Sequence, residues 1–298
     1  MSTLRVRNTI IECMTGAKSD SEHLQLKALE MISSITKVSP QNRNLIAETH
    51  TCVPTILSLT KSSNPFIQSL SFSILFNLSL NPNLKHSLAD IKTIHHLNSM
   101  IFSSPELNRA VSSLICSLAM LDKNKAKFGV AGTIQVSIKA ISHSGSGNVA
   151  SHHLLSSLAE LVQFHGNCTL AVRANAVDIL IELIKQPDEE DLTGTALGIL
   201  SLLARFNEGL SALKKTQCIV TTMVDVLKGR CMLGKEGATE ILLRLFDESD
   251  ECLREAMGVA DQLLPVLADL SVRGSFRARE KSGLLMTKMM MDLDHFQW

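Results

Sequence analysis

VPTILSL, residues 53–59, is the segment on which the fold turns, because altered copies of it recur down the chain. They read IHHLNSM (94–100), IQVSIKA (134–140), VDILIEL (177–183), VTTMVDV (220–226) and LPVLADL (264–270), at intervals of 41, 40, 43, 43 and 44 residues. Each is followed by a polar break and a longer apolar stretch, from IQSLSFSILFNLSL (67–80) and LNRAVSSLICSLAM (107–120) to KEGATEILLRLFD (235–247) and AREKSGLLMTKMM (278–290). Before the next short segment comes a third, amphipathic piece such as NRNLIAET (42–49) or NKAKFGVAG (124–132). Apolar residues recur at helical rather than alternating spacing, as in LQLKALEMISSI from Leu24 and TGTALGILSLLA from Thr193. Helix breakers are scarce, 15 Gly and 7 Pro, so nearly the whole chain is predicted helical.

Three helices per roughly 42 residues is the period of the armadillo repeat. The predicted fold class is all-α, a right-handed armadillo-repeat superhelical solenoid of six to seven repeats. Residues 1–19 are expected to form a partial N-terminal repeat or cap, 20–275 the repeats, and 276–298 a C-terminal capping helix and tail. The first helix, about Leu4 to Met14, should turn Val6, Ile10, Ile11 and Met14 toward the first repeat. One such unit cannot bury its own apolar faces, so stacking is expected to make a continuous core and leave a concave groove lined by the third helices.

The phrases QLKALEMISSITKVSPQNRNLIAE (25–48), SFSILFNLSLNPNLKHSLAD (71–90), LAMLDKNKAKFGVAGTI (118–134) and GNCTLAVRANAVDILIELI (166–184) resemble successive repeats of the armadillo region of plant U-box ubiquitin ligases. The resemblance runs from about residue 20 to the end. It implies a region that holds a ubiquitination substrate or a receptor-like kinase, while a U-box elsewhere recruits the conjugating enzyme. None of the seven prolines follows a cysteine, as the Cys-Pro-Ile start of a U-box requires, and the stretch before Ser19 is short for that module. The expectation is a non-catalytic interaction scaffold without ligase activity of its own, whether as a U-box-less relative or as part of a longer ligase.

Composition narrows the partners. Basic and acidic side chains balance at 29 each, and aromatic residues make up 4% with no Tyr, which argues against nucleic acid and against aromatic cages. No stretch approaches the roughly 18 apolar residues of a membrane span, and no signal peptide opens the sequence. Seven cysteines without a CxxC pair suit reduced core thiols. A cytoplasmic protein is expected, with the nucleus as a second compartment, and the sequons at Asn77 and Asn167 are expected to carry no sugar. The balance is uneven along the chain: residues 1–150 hold 14 Lys/Arg against 8 Asp/Glu, and the remainder 15 against 21. Two readings stand, a bipolar surface for a complementary partner or end-to-end self-association, and drift among solvated faces.

Alignment of the third helices on LFNLS gives one groove position per repeat: Ser34, Asn77, Ser117, Glu160, Leu202, Arg244 and Lys288. Asn77 alone has the carboxamide that can clamp a peptide backbone, as nuclear-import adaptors and catenin-like proteins do, and it is expected to face solvent. Arg244 and Lys288 should favour an acidic or phosphorylated segment. One turn earlier stand Glu30, Ser73, Ser113, Ser156, Gly198, Glu240 and Leu284, with none of the Trp that sandwiches lysine in import adaptors, so an importin-like role is rejected. At any one of these positions, tolerance of helix packing explains the residue as well as binding does.

Several motifs mimic chemistry. GRCMLGK (229–235) has phosphate-loop spacing, but Glu236 stands where the magnesium ligand belongs, and GSGN (145–148) lacks a fingerprint glycine. Both are read as turns. His95/His96 and His152/His153 are adjacent pairs that diverge by about 100° on a helix, and cannot chelate together. His165 and Cys168 lack an orienting carboxylate. DEED (188–191) precedes a helix whose dipole favours it. No cofactor, metal or small-molecule ligand is expected.

Overall fold

The structure is a computed structural model that describes residues 3–144, 149–186 and 190–295. Among the described residues it holds twenty helices and no strand. The chain opens with α1 (Thr3–Ala17) and α2 (Glu22–Val38). Triplets follow: α3 (Pro40–Glu48), α4 (Cys52–Leu59) and α5 (Pro65–Ser79); α6 (Pro82–Leu88), α7 (Ile91–Met100) and α8 (Pro105–Ala119). Next come α9 (Asp122–Val130), α10 (Thr133–Ser144) and α11 (Val149–Leu161), then α12 (His165–Arg173), α13 (Ala176–Ile184) and α14 (Glu190–Leu203). The last are α15 (Asn207–Lys215), α16 (Ile219–Lys228) and α17 (Met232–Glu248), then α18 (Asp250–Gly258), α19 (Ala260–Arg273) and α20 (Phe276–His295). Six triplets thus follow an opening pair, and every short segment related to VPTILSL falls in the middle helix of its triplet.

The chain divides into two compact units, Met1–Ala140 and Ile141–Trp298. In the first, third helices stack in the order α2, α5, α8; in the second, α11, α14, α17, α20. Each core is aliphatic, with Ile32, Ile74, Leu75 and Ile115 in one unit and Leu197, Leu200, Ile241 and Leu245 in the other fully or almost fully buried.

Local sequence sets where the helices start. Pro40, Pro65, Pro82 and Pro105 each open a helix, where a missing N–H costs nothing and the fixed φ is already helical. Ser39, Asn64 and Asn81 just before three of these prolines accept from the first free amides. A second device ties the end of a third helix to the helix after it. Asn42 donates to the Ile35 carbonyl at 3.1 Å, Asn124 to Leu118 at 3.0 Å and Asn167 to Leu161 at 2.9 Å, each reaching a carbonyl in the last turn of the helix before it. In the second unit α14 and α17 pack most closely. A Cβ on Gly237 would lie 2.8 Å from Leu197 Cβ and 3.1 Å from its backbone carbon, so only glycine allows the approach.

α1 buries Ile10, Met14 and Ala17. Ile11, expected on that inner face, is half exposed because the buried stripe runs through 10, 14 and 17 and leaves Ile11 on the flank, about 100° round the helix from Ile10.

Candidate protein-binding groove

The sequence-predicted positions fall on the third helices, one per repeat, but the two units use them differently. In the first unit Ser34 is exposed and donates to its own Glu30 carbonyl at 3.0 Å. Asn77 is only 8% exposed, which corrects the expectation that it faces solvent. Its Nδ2 donates to Thr36 Oγ1 at 2.9 Å, while the Thr36 hydroxyl donates to Ser33 O at 2.7 Å. Ser117, 5% exposed, repeats the arrangement one unit on. It lies 2.6 Å from Ser79 Oγ, whose own proton goes to Phe76 O, so Ser117 is the donor. Asn77 and Ser117 therefore join each third helix to the one before it. The physical reason is geometric: a short polar side chain here reaches the preceding repeat's hydroxyl, and burial makes that bond obligatory.

In the second unit the same register carries ions. Glu160 is half-buried, with Gln163 Nε2 at 3.4 Å from its carboxylate, and Leu202 is half-buried beside it in sequence phase. Arg244 Nε donates to Glu240 Oε1 at 2.7 Å, and Lys281 from the next repeat reaches Glu240 Oε2 at 2.6 Å. Burial pushes the Glu240 carboxyl up, but the hydrogen bonds and charges of Lys281 and Arg244 outweigh it and hold the group below its usual range. Lys288 pairs with Asp247. The expected positive patch is thus a correction as well: both cations are neutralised by carboxylates of α17. Lys281 was not legible as a site residue, although its distance from Glu240 in sequence, 41 residues, equals that of Lys288 from Asp247 and of Asn77 from Thr36. Opposite charges one repeat apart were the available signal.

One turn earlier the first unit carries small side chains, while in the second Glu240 is taken up by Arg244 and Lys281. Ser73 and Ser113 are half-buried, and a Cβ on Gly198 would meet nothing within 4 Å. Three residues after the ladder, at the ends of α5 and α8, Leu80 and Met120 stand exposed at matching register. They are the apolar contacts the sequence reading missed, findable by moving the ladder on by one turn. Leu80 also borders a cavity of about 550 Å³ between α3 and α6, lined by Arg43, Asn44, Asn81 and Asn83.

The motifs that mimic chemistry are structural where described. Gly229 caps α16, and Cys231 caps α17 by accepting from Gly234 N–H at 3.4 Å. Cys168 is buried and donates to Val162 O at 2.8 Å; burial drives its thiol pKa up to about 11, away from a nucleophilic thiolate. The His165 ring packs on Phe206 at 4.2 Å. His95 is exposed, whereas His96 lies 2.9 Å from Thr60 Oγ1 and stacks on Phe72. Both sequon asparagines, Asn77 and Asn167, are buried. GSGN and the first half of DEED lie outside the described residues. Among the described residues no group of three His, Cys, Asp or Glu is placed to hold a metal, and no helix is long and apolar enough to cross a membrane.

Third helices stacked in register within each unit define an armadillo-repeat scaffold. Solved structures agree on the fold. An engineered protein superposes with a TM-score of 0.80 at 17% identity, covering 94% of this chain and 68% of that one. Designed armadillo repeat proteins for modular peptide recognition give 0.70 at 14% identity, over 80% of this chain and 99% of theirs. More narrowly, residues 8–294 match the family described as the plant U-box protein ARM repeat region, and the chain belongs to that family. U-box domain-containing protein 8 of Arabidopsis thaliana is 25% identical over 76% of this chain and 59% of its own length. U-box domain-containing protein 45 of the same plant is 23% identical over 90% of this chain and 35% of its length. U-box domain-containing protein 1 of Medicago truncatula is 31% identical over 39% of this chain and 16% of its length. The chain thus spans well under two thirds of the length of each of these relatives.

Proposed function

We propose that the chain is the recognition element of a plant ubiquitination pathway, holding a segment of a protein partner along its third helices and doing no transfer chemistry itself. The observation that carries this reading lies in the first unit, where Ser73 and Ser113 are small and half-buried, with Leu80 and Met120 as exposed apolar side chains one repeat apart. Small residues leave room for a partner backbone, and two apolar side chains at repeat spacing give it fixed points. By kinship the partner is a ubiquitination substrate or a receptor-like kinase, and a U-box on a longer chain or a separate protein supplies ligation. The buried bonds of Asn77 and Ser117 shift the contact surface from the predicted ladder to the rows on either side of it. Seven free thiols support a reducing compartment, the cytoplasm or nucleus.

The test is affinity capture from plant extract with the parent chain and with Leu80→Asp/Met120→Asp, followed by mass spectrometry. Partners lost with the double variant, at unchanged circular dichroism, support the groove; an identical set overturns it. Incubation of the purified chain with ubiquitin, activating enzyme and a panel of conjugating enzymes should give no ubiquitin chains. Ligation by the pure chain overturns the non-catalytic reading.

A further inference from the structure

Two cavities of the second unit are copies of one another. The first, about 300 Å³, opens between the end of α10 and α13, and the second, about 570 Å³, between the end of α13, α14 and α16. Each residue lining the first has its counterpart 43 residues on in the lining of the second, as Ile141 with Ile184, Asp178 with Thr221 and Leu183 with Val226. Gln186 lines both, so the two run together as one groove along the second helices. Its Oε1 is buried there and has no hydrogen-bond partner among the described residues. The groove ends at α16, where α19 packs directly and Lys228 Nζ donates to Gln262 Oε1 at 2.8 Å. Its floor is aliphatic, with Ile141, Leu183 and Ile184 all buried. A gap that recurs between successive repeats follows from the register, but the charges on its rim do not. Glu182 pairs with Lys185 at 2.8 Å and Asp225 with Lys228 at 3.4 Å. Asp178 at the first cavity and Arg230 at the second are exposed and, among the described residues, stand in no ion pair.

We propose that this groove is a second docking surface, for a protein segment that brings a basic side chain to Asp178, an acidic one to Arg230 and aliphatic side chains to the floor between them. Charge complementarity selects this occupant. A uniformly basic segment would set a like charge against Arg230, and a uniformly acidic one would do so at Asp178. Where the cavities meet, Gln186 Oε1 can accept an N–H from the segment's backbone. A chain segment reaches both cavities, whereas a small cation or anion answers only one of the two charges. The surface lies on second helices of the second unit and is independent of the third-helix contacts of the first, so the chain can hold a segment on each.

Selection of random peptides displayed on phage tests this, with the full chain as bait after removal of peptides that also bind Asp178→Lys/Arg230→Glu. The peptides that remain should pair a basic with an acidic residue across an aliphatic stretch. For one of them, Asp178→Lys should weaken binding about tenfold, because an attraction is exchanged for a repulsion. Changing the basic residue of that peptide to Glu should restore binding to the variant, and the tenfold loss should shrink as salt rises. Leu80→Asp/Met120→Asp should bind the peptide like the parent, so this proposal and the third-helix reading can fail separately. Asp178→Asn and Arg230→Gln form a milder pair should either reversal lower helicity by circular dichroism. An empty selection overturns the proposal, as do surviving peptides without the paired charges or a charge-swapped peptide that fails to recover binding. Loss of binding in Leu80→Asp/Met120→Asp also overturns it, because the peptide would then sit in the third-helix groove.

Discussion

The two units solve one problem, fixing a third helix against its predecessor, with different chemistry at the same register. The first uses neutral hydrogen bonds, Asn77 to Thr36 and Ser117 to Ser79. The second uses charge, Glu240 between Arg244 and Lys281, and Asp247 with Lys288. It also uses closer backbone approach, at Gly237. Neutral buried bonds are indifferent to salt and costly to break, whereas half-exposed ion pairs respond to salt and pH and are individually weak. The armadillo frame therefore fixes where adjacent repeats meet and leaves the means open, so each unit should answer to a different perturbation.

The largest expected effect is Gly237→Ala. The added methyl meets the Leu197 side chain and backbone, which cannot yield without moving α14 away from α17. Overpacking of about 1–3 kcal/mol, less a helix-propensity gain of about 1 kcal/mol, leaves a net loss of up to about 2 kcal/mol. Denaturant unfolding measures it, and hydrogen exchange should place the loss of protection in α14 and α17 rather than in α2, α5 and α8. A gain in stability would mean that the close approach is not a constraint.

Next is Asn77→Ala, which removes a buried donor and leaves Thr36 with one bond fewer. Stability should fall by about 1 kcal/mol, unchanged between low and high salt. An effect confined to partner binding would restore the solvent-facing role that the sequence suggested. Glu240→Gln should cost less, because Arg244 stays over a third exposed and water screens the pair. Its loss should shrink as salt rises. The pH dependence has a fixed sign: Glu240 titrates below its ordinary 4.5 in the fold, so its contribution is complete above that value and is lost as pH falls through the folded value.

The division between legible and illegible residues follows the physics. The period of VPTILSL and its copies announced three helices per repeat, because burial of apolar faces repeats wherever the helices do. The ladder through Asn77 and Arg244 was placed on the correct helices and given the wrong use. Whether Asn77 faces a partner or the preceding repeat depends on a rotation of a few tens of degrees and on a hydroxyl 41 residues away. Periodicity averages over both. Lys281, Leu80 and Met120 were missed for a related reason: each matters through what lies one repeat away or at a helix end, and a single aligned column holds neither.

The smallest expected effect sharpens the comparison by giving the neutral unit an acid-sensitive tie of its own. The His96 ring is half-buried between repeats against Phe72 and Thr60. Thr60 gives its proton to Leu57 O, so the ring nitrogen facing it is a donor. Burial first, and the nearby Lys61 charge second, hold the imidazole pKa below its ordinary 6.5. The fold therefore prefers the neutral ring. That preference is fully present above 6.5 and is lost as pH falls through the folded value, a higher window than the one in which Glu240 is lost. Only a few tenths of a kcal/mol are expected from a half-buried ring. Equilibrium unfolding is therefore too coarse, and the pKa of His96 read by NMR from its ring proton is the suitable measure. On mild acidification, exchange protection should fall in α4 and α7 while α17 and α20 hold, and His96→Gln should abolish that difference. A His96 pKa above 6.5 would reverse the sign and remove the separation in pH between the two units.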